Sequence, residues 1–306
     1  MHIGLRRALR PRLLILVTLL LAVGGAVLTG TAGSASAAST CSAGTYFNGS
    51  TCVLADPGFY VAVAGATSET PCPLGTFQPN AGQTACEPAT AGHFVGTAGQ
   101  TSQTACPVGT YQPSTGQKSC VPAARGTFVD TVAAVSDTAC PAGTFQPSTG
   151  QFSCEPAAPG SFVSTTGQVK DTACPAGTFQ PNTGQTACEP ATAGFFVSTT
   201  GQTSDTPCAV GTYQPNEGAK SCVPAARGHF VDATAAVSDT ACPAGTFQPS
   251  TGQADCTPAS VDHYVPGAGS AKQFACPAGT DQPFTGQTSC VPVTTGENVA
   301  SRFDLS

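Results

Sequence analysis

The chain has 306 residues, with 35 Gly, 26 Pro, 16 Cys, no Trp and a formal net charge of −6. Beyond residue 30, Leu appears only at Leu54, Leu74 and Leu305, and Met stands only at position 1. That composition excludes two ordinary globular domains built around large aliphatic side chains, although the length would allow them.

The first element is a leader. Arg6, Arg7, Arg10 and Arg12 precede an apolar stretch from Leu13 to Leu28, and small residues ending in Ala35-Ser36-Ala37 follow. This three-part pattern predicts a secretory signal peptide over residues 1–37 and an exported, secreted or surface-associated product. Arg6-Arg7 fits a twin-arginine signal poorly. Lipid on Cys41 would lack the large aliphatic residue such sites carry and would orphan Cys52. With the leader removed, seven Lys and Arg face 17 Asp and Glu, a net charge of about −10. Such a surface is a poor match for phosphate backbones or anionic lipid, so neither nucleic acid nor a lipid surface is expected as a partner. No second apolar run follows residue 40, so no membrane span is expected after cleavage.

The rest is repetitive. Cysteines stand at Cys41, Cys52, Cys72, Cys86, Cys106, Cys120, Cys140, Cys154, Cys174, Cys188, Cys208, Cys222, Cys242, Cys256, Cys276 and Cys290. From Cys72 onward the separations alternate 14 and 20, a period of 34 residues. An aromatic residue recurs every 17 residues from Phe77 to Tyr264, with Gly two places before it at Gly75, Gly92 and Gly109. Each repeat is therefore two related halves, of which one keeps its cysteines. In the other, the equivalent places hold Ala89 and Gln103, Ala123 and Asp137, Ala157 and Asp171, or Ala191 and Asp205. Residues 106–138 recur closely at 208–240, so the array has grown by copying a three-repeat block.

The expected organisation is an N-terminal capping repeat at 38–71, six tandem repeats at 72–275, and a half repeat with a tail at 276–306. Pairing within halves joins Cys41 to Cys52, Cys72 to Cys86 and so on, and strands nothing. The shifted phase strands Cys41 and Cys290, so the sequence favours the first while proving neither. The end units depart from the pattern. The first closes over a shorter loop around Asn48-Gly49, Asp262 replaces a glycine, and Asp281 replaces the aromatic, with Phe284 nearby.

One unit reads Cys140-Pro141-Ala142-Gly143-Thr144-Phe145-Gln146-Pro147-Ser148-Thr149-Gly150-Gln151 before Cys154. Gly and Pro at this density predict short β-hairpins and irregular loops with little helix. Pro at the turn start with Gly past it favours a type I-like turn followed by a left-handed residue. A piece this small cannot fold by burial alone, and each bridge contributes roughly 3 kcal/mol in the chain-entropy model. The fold class is thus a small disulfide-rich repeat array stacked into an elongated rod. Bridge-free halves are expected to be softer segments between stapled ones.

This motif resembles the ephrin-receptor-like cysteine-rich repeats, close in pattern to tumour-necrosis-factor-receptor repeats. The resemblance runs from Cys41 to Cys290. It implies extracellular, elongated, hairpin-rich modules serving as stalks, adhesive surfaces or ligand-binding ectodomains, and it implies no reaction. The family usually places Cys-x-x-Cys between units, whereas Cys86-Glu87-Pro88-Ala89 keeps only the first cysteine. The leader and the alanine-rich composition have a bacterial cast.

Catalytic and metal chemistry find little support. Zinc sites want close cysteine pairs, and here no two cysteines are nearer than 11 positions. His93, His229 and His263 occupy a variable place beside the aromatic, without a paired nucleophile. Asp137, Asp171, Asp205 and Asp239 recur singly and read as solvated residues near a turn, not as a calcium loop. The aromatic row reads as internal packing, and Asn48-Gly49-Ser50 matches the N-glycosylation pattern. No catalytic, cofactor or metal residue is expected. The sequence points to a secreted or cell-surface structural and adhesive protein without catalytic activity, its partner an unidentified extracellular protein or glycan. A ligand-binding receptor-like or decoy module is the alternative, and a carbohydrate- or ice-binding face of repeated Thr and Gln a third.

Overall fold

A computed structural model describes residues 40–293. The leader expected over residues 1–37 and the tail beyond residue 293 lie outside the described residues. Among the described residues there is no helix, and thirty short strands pair into fifteen antiparallel two-stranded hairpins. No helix there is long and apolar enough to cross a membrane. The first hairpin pairs Thr45–Phe47 with Cys52–Leu54. Each later one pairs a two-residue strand with another across a longer loop, as Thr76–Phe77 with Glu87–Pro88.

Local chemistry explains each hairpin. Pro, Ala, Thr, Ser or Asp follows the buried Cys or Ala, and in the turn after Cys72 closure comes from Thr76 N–H donating to the Pro73 carbonyl at 3.0 Å. Gly75 is the third residue of that turn, at φ +83°. This is the arrangement a type II turn requires, and it corrects the expected type I-like form, because the left-handed residue stands inside the turn. The Thr76 hydroxyl donates to the same carbonyl at 2.8 Å and braces it.

Cysteine-bearing and bridge-free halves fold alike. His93–Phe94 pairs with Thr104–Ala105 in the register that Thr76–Phe77 takes with Glu87–Pro88. Both halves are stitched to the next 17-residue turn by the same three backbone bonds. For the cysteine turn these are Gly75 N–H to Val95 O (2.9 Å), Gln78 N–H to Gln100 O (3.0 Å) and Gly99 N–H to Cys72 O (2.9 Å). For the bridge-free turn they are Gly92 N–H to Gln112 O (2.8 Å), Val95 N–H to Gln117 O (3.0 Å) and Gly116 N–H to Ala89 O (2.7 Å). The backbone bonds therefore draw no distinction between bridge-free and stapled segments. Seventeen residues make one turn of a continuous array, and covalent closure decorates every second turn.

Contacts also reach past the nearest neighbour. A Cβ on Gly75 would overlap the carbonyl oxygen of Gly116, two turns on, and Gly143 stands in the same relation to Gly184. Glycine recurs at this place because the chain two turns ahead leaves no room for a side chain. Among the described residues the backbone hydrogen bonds run within a turn or to the adjacent turn, so the array is nearly one-dimensional, as stacked repeats are.

The core is two columns of small side chains. One alternates Ala and Cys, as in Ala55, Cys72, Ala89 and Cys106, all fully buried. The other alternates Val and Gln, as in Val61, Gln78, Val95 and Gln112, also buried. Coils this tight need no large aliphatic residue, which accounts for the scarcity of Leu. The recurrent aromatics are only half-buried and flank these columns.

Candidate functional site

Eight disulfides join Cys41 to Cys52, Cys72 to Cys86, Cys106 to Cys120, Cys140 to Cys154, Cys174 to Cys188, Cys208 to Cys222, Cys242 to Cys256 and Cys276 to Cys290. No free cysteine stands among the described residues. The first cysteine of each later bridge lines the core column, except Cys276 near the end, and the second is half-buried on the rim.

The carboxylates and amides of the bridge-free turns have a role that the sequence reading missed. Each of Glu69, Gln103, Asp137, Asp171, Asp205, Asp239 and Gln273 occupies the place of a second cysteine and is half-buried. Each accepts a hydrogen bond from the backbone N–H thirteen residues earlier, just after the buried Ala. Examples are Thr90 N–H to Gln103 Oε1 (2.7 Å) and Ala226 N–H to Asp239 Oδ2 (3.0 Å). These residues are therefore not free solvated groups, because each closes its turn as a disulfide closes the next. The alternation has a chemical cause. In cysteine turns the residue after the first Cys is usually Pro, which has no N–H to offer, and a covalent bridge joins the strands. In bridge-free turns the N–H is present and an acceptor is supplied.

A second missed group is the buried glutamine of each cysteine turn after the first. Gln146, 3% exposed, donates from Nε2 to Ser153 O (2.8 Å) and accepts at Oε1 from Ser148 N–H (3.0 Å). It fastens both ends of the loop that the Cys140–Cys154 bridge encloses. Both faces of the amide are used, which makes its burial tolerable.

The three histidines among the described residues stand in separate turns, each with local partners. His93 Nδ1 lies 3.1 Å from Thr90 Oγ1, and His263 Nδ1 lies 3.2 Å from Ser260 Oγ. His229 Nδ1 lies 3.2 Å from Asp239 Oδ1, a close approach without hydrogen-bond directionality. The described residues hold no group of His, Cys, Asp and Glu arranged for a metal ion. The aromatic row from Tyr60 to Tyr264 runs along one edge of the hairpins, each ring opposite a cross-strand partner such as Glu87 beside Phe77. Asn48-Gly49-Ser50 forms the exposed tip of the first hairpin.

The exposed, repeated exterior is thus the candidate interaction surface. The family model described as tyrosine-protein kinase ephrin type A/B receptor-like matches residues 58–106, 92–140 and 194–242. Those windows carry ephrin-receptor-like cysteine-rich repeats. Each matched window covers most of one bridge-free turn, the cysteine turn after it and the next bridge-free turn, and ends on the following cysteine. No curated protein matches the chain. Eight disulfides together with ephrin-receptor-like repeats point to an extracellular or cell-surface module.

Proposed function

We propose that this ephrin-receptor-like array is a secreted or cell-surface structural and adhesive protein without catalytic activity, its length set by repeat number. One observation carries the reading. The same three stitches join every interior turn to its successor, so the backbone continues without a break and presents a near-identical exterior at each step. A module built this way is a spacer whose reach grows with each added repeat and whose weak contacts sum over many copies. The uniform stitching favours a stiff spacer over a string of hinges. The recurring turn threonines donate their hydroxyls to their own turn, as Thr144 does to Pro141 O at 2.8 Å, which speaks against a binding face made of them.

The test deletes residues 106–207, three whole repeats, which leaves the register of the remaining turns intact. Purified full-length and shortened chains are compared for retention on washed cells of the producing organism and for maximum dimension by small-angle X-ray scattering. Retention that falls in a graded way, with a shorter maximum dimension, supports the reading. Undiminished retention that is lost only on removing one terminal unit favours a receptor-like module instead.

A further inference from the structure

The first turn differs from all the others in how its loop is closed. Its bridge spans 11 positions, where every other spans 14. The four residues Asn48, Gly49, Ser50 and Thr51 replace the usual longer loop, and Asn48 N–H donates to Thr51 O at 3.1 Å. The Asn48 side-chain oxygen accepts two more bonds, from Ser50 N–H and Thr51 N–H, both at 3.0 Å. Gly49 follows at φ +97°, with open space where a Cβ would stand. All four residues are exposed. Among the asparagines of this chain, Asn48 alone precedes a glycine, since Asn80, Asn182, Asn216 and Asn298 precede Ala, Thr, Glu and Val.

These features combine into a reactive centre. Two N–H donors on Oδ1 withdraw charge from Cγ and stand where a tetrahedral oxyanion would develop, the arrangement that promotes attack at a carbonyl. Glycine leaves the approach of its own backbone nitrogen unhindered and lets the chain adopt the angle that ring closure needs. We propose that Asn48 is a self-modifying site. The backbone nitrogen of Gly49 loses its proton and bonds to Cγ of Asn48. The bond from Cγ to the side-chain nitrogen breaks, and that nitrogen leaves with the proton as ammonia. Water then opens the five-membered imide at one carbonyl or the other, leaving aspartate or isoaspartate at position 48. No oxidant, reductant or enzyme enters the balance.

The consequence falls on the end of the array. Isoaspartate adds a main-chain atom to the tightest loop in the molecule, which joins the strand whose Phe47 N–H donates to Ala66 O of the next turn at 2.9 Å. Conversion therefore marks the age of the secreted chain and loosens its first turn, while turns from Cys72 onward keep their stitches.

The test incubates the full disulfide-bonded chain, and separately a peptide of residues 43–53, in mildly alkaline buffer. Peptide mapping by mass spectrometry follows the amide-to-acid change at each asparagine. The expected result is conversion at Asn48 in the folded chain at a rate equal to or above the peptide's, with Asn80, Asn182 and Asn216 unchanged. Gly49→Ala should slow it at least about tenfold by hindering the nitrogen. Slower conversion in the folded chain than in the peptide, or an unaffected rate in the Gly49→Ala chain, overturns the proposal.

Discussion

Asp205 Oδ2 accepts both the backbone N–H and the hydroxyl of Thr192, each at 3.0 Å, across thirteen residues of a turn that has no disulfide. The neighbouring turns close over fourteen residues with a covalent bridge, Cys174 to Cys188 and Cys208 to Cys222. Asp205→Ala should free the Thr192 amide and cost about 1 kcal/mol, with Asp205→Asn retaining most of that. Chemical denaturation of the disulfide-intact chains gives the difference. An unchanged midpoint for Asp205→Ala would mean that the clamp contributes nothing.

If clamp and bridge are geometric equivalents, one can replace the other. Ala157 and Asp171 stand where the adjacent turns hold Cys140 and Cys154, and Ala158 N–H reaches Asp171 Oδ2 at 3.3 Å. The double substitution Ala157→Cys, Asp171→Cys should form a ninth disulfide without rearranging the other eight. Thiol titration should find no free cysteine, and non-reducing peptide mapping should join positions 157 and 171. Mixed pairing with Cys154 or Cys174 is the contrary outcome.

Gly143 and Gly279 have nearly the same backbone angle, φ +87° and +86°, but different surroundings. The carbonyl of Gly184 fills the space beside Gly143, while nothing lies within 4 Å of a Cβ on Gly279. Gly279→Ala should cost only the left-handed strain, about 1 kcal/mol, whereas Gly143→Ala should cost roughly 3 kcal/mol or more because backbone must move. Asp262, a non-glycine residue at φ +61° near the same end, fits the first case. Equal midpoint shifts in denaturant would contradict the two-turn contact.

Gln146→Ala removes both bonds of a buried amide and opens a gap in the core column. A loss of about 2–3 kcal/mol is expected. Gln146→Val, which copies the side chain of the bridge-free turns, should lose less because it refills the column and leaves only loop groups unpartnered. The order of the two denaturation midpoints checks this.

The period, the hairpin class and the family resemblance were legible in the sequence because they rest on residues whose meaning is local: Cys, Gly, Pro and an aromatic at fixed spacing. The buried glutamines were equally periodic. They were missed because a polar side chain reads as surface unless its partners are known, and those partners are loop backbone groups. The clamp residues Gln103, Asp137, Asp171 and Asp205 were seen as a vacant cysteine place, but the matching N–H thirteen residues earlier becomes visible only when the strands are paired. The glycine rule at Gly75 and Gly143 was legible as a pattern, and its cause lay two turns away, beyond any local reading.

The central claim is that bridged and bridge-free turns are equally part of one stitched array. Amide hydrogen exchange at Gly126 and Gly143 tests it most directly. Gly126 N–H donates to Gln146 O at 2.9 Å from a bridge-free turn, and Gly143 N–H donates to Val163 O at 2.8 Å from a disulfide-closed one. Protection factors that agree within about tenfold are expected, since both amides open only with the surrounding turns. Exchange at Gly126 near the unfolded rate, with Gly143 still protected, would contradict the claim and restore a chain of stapled units on soft links.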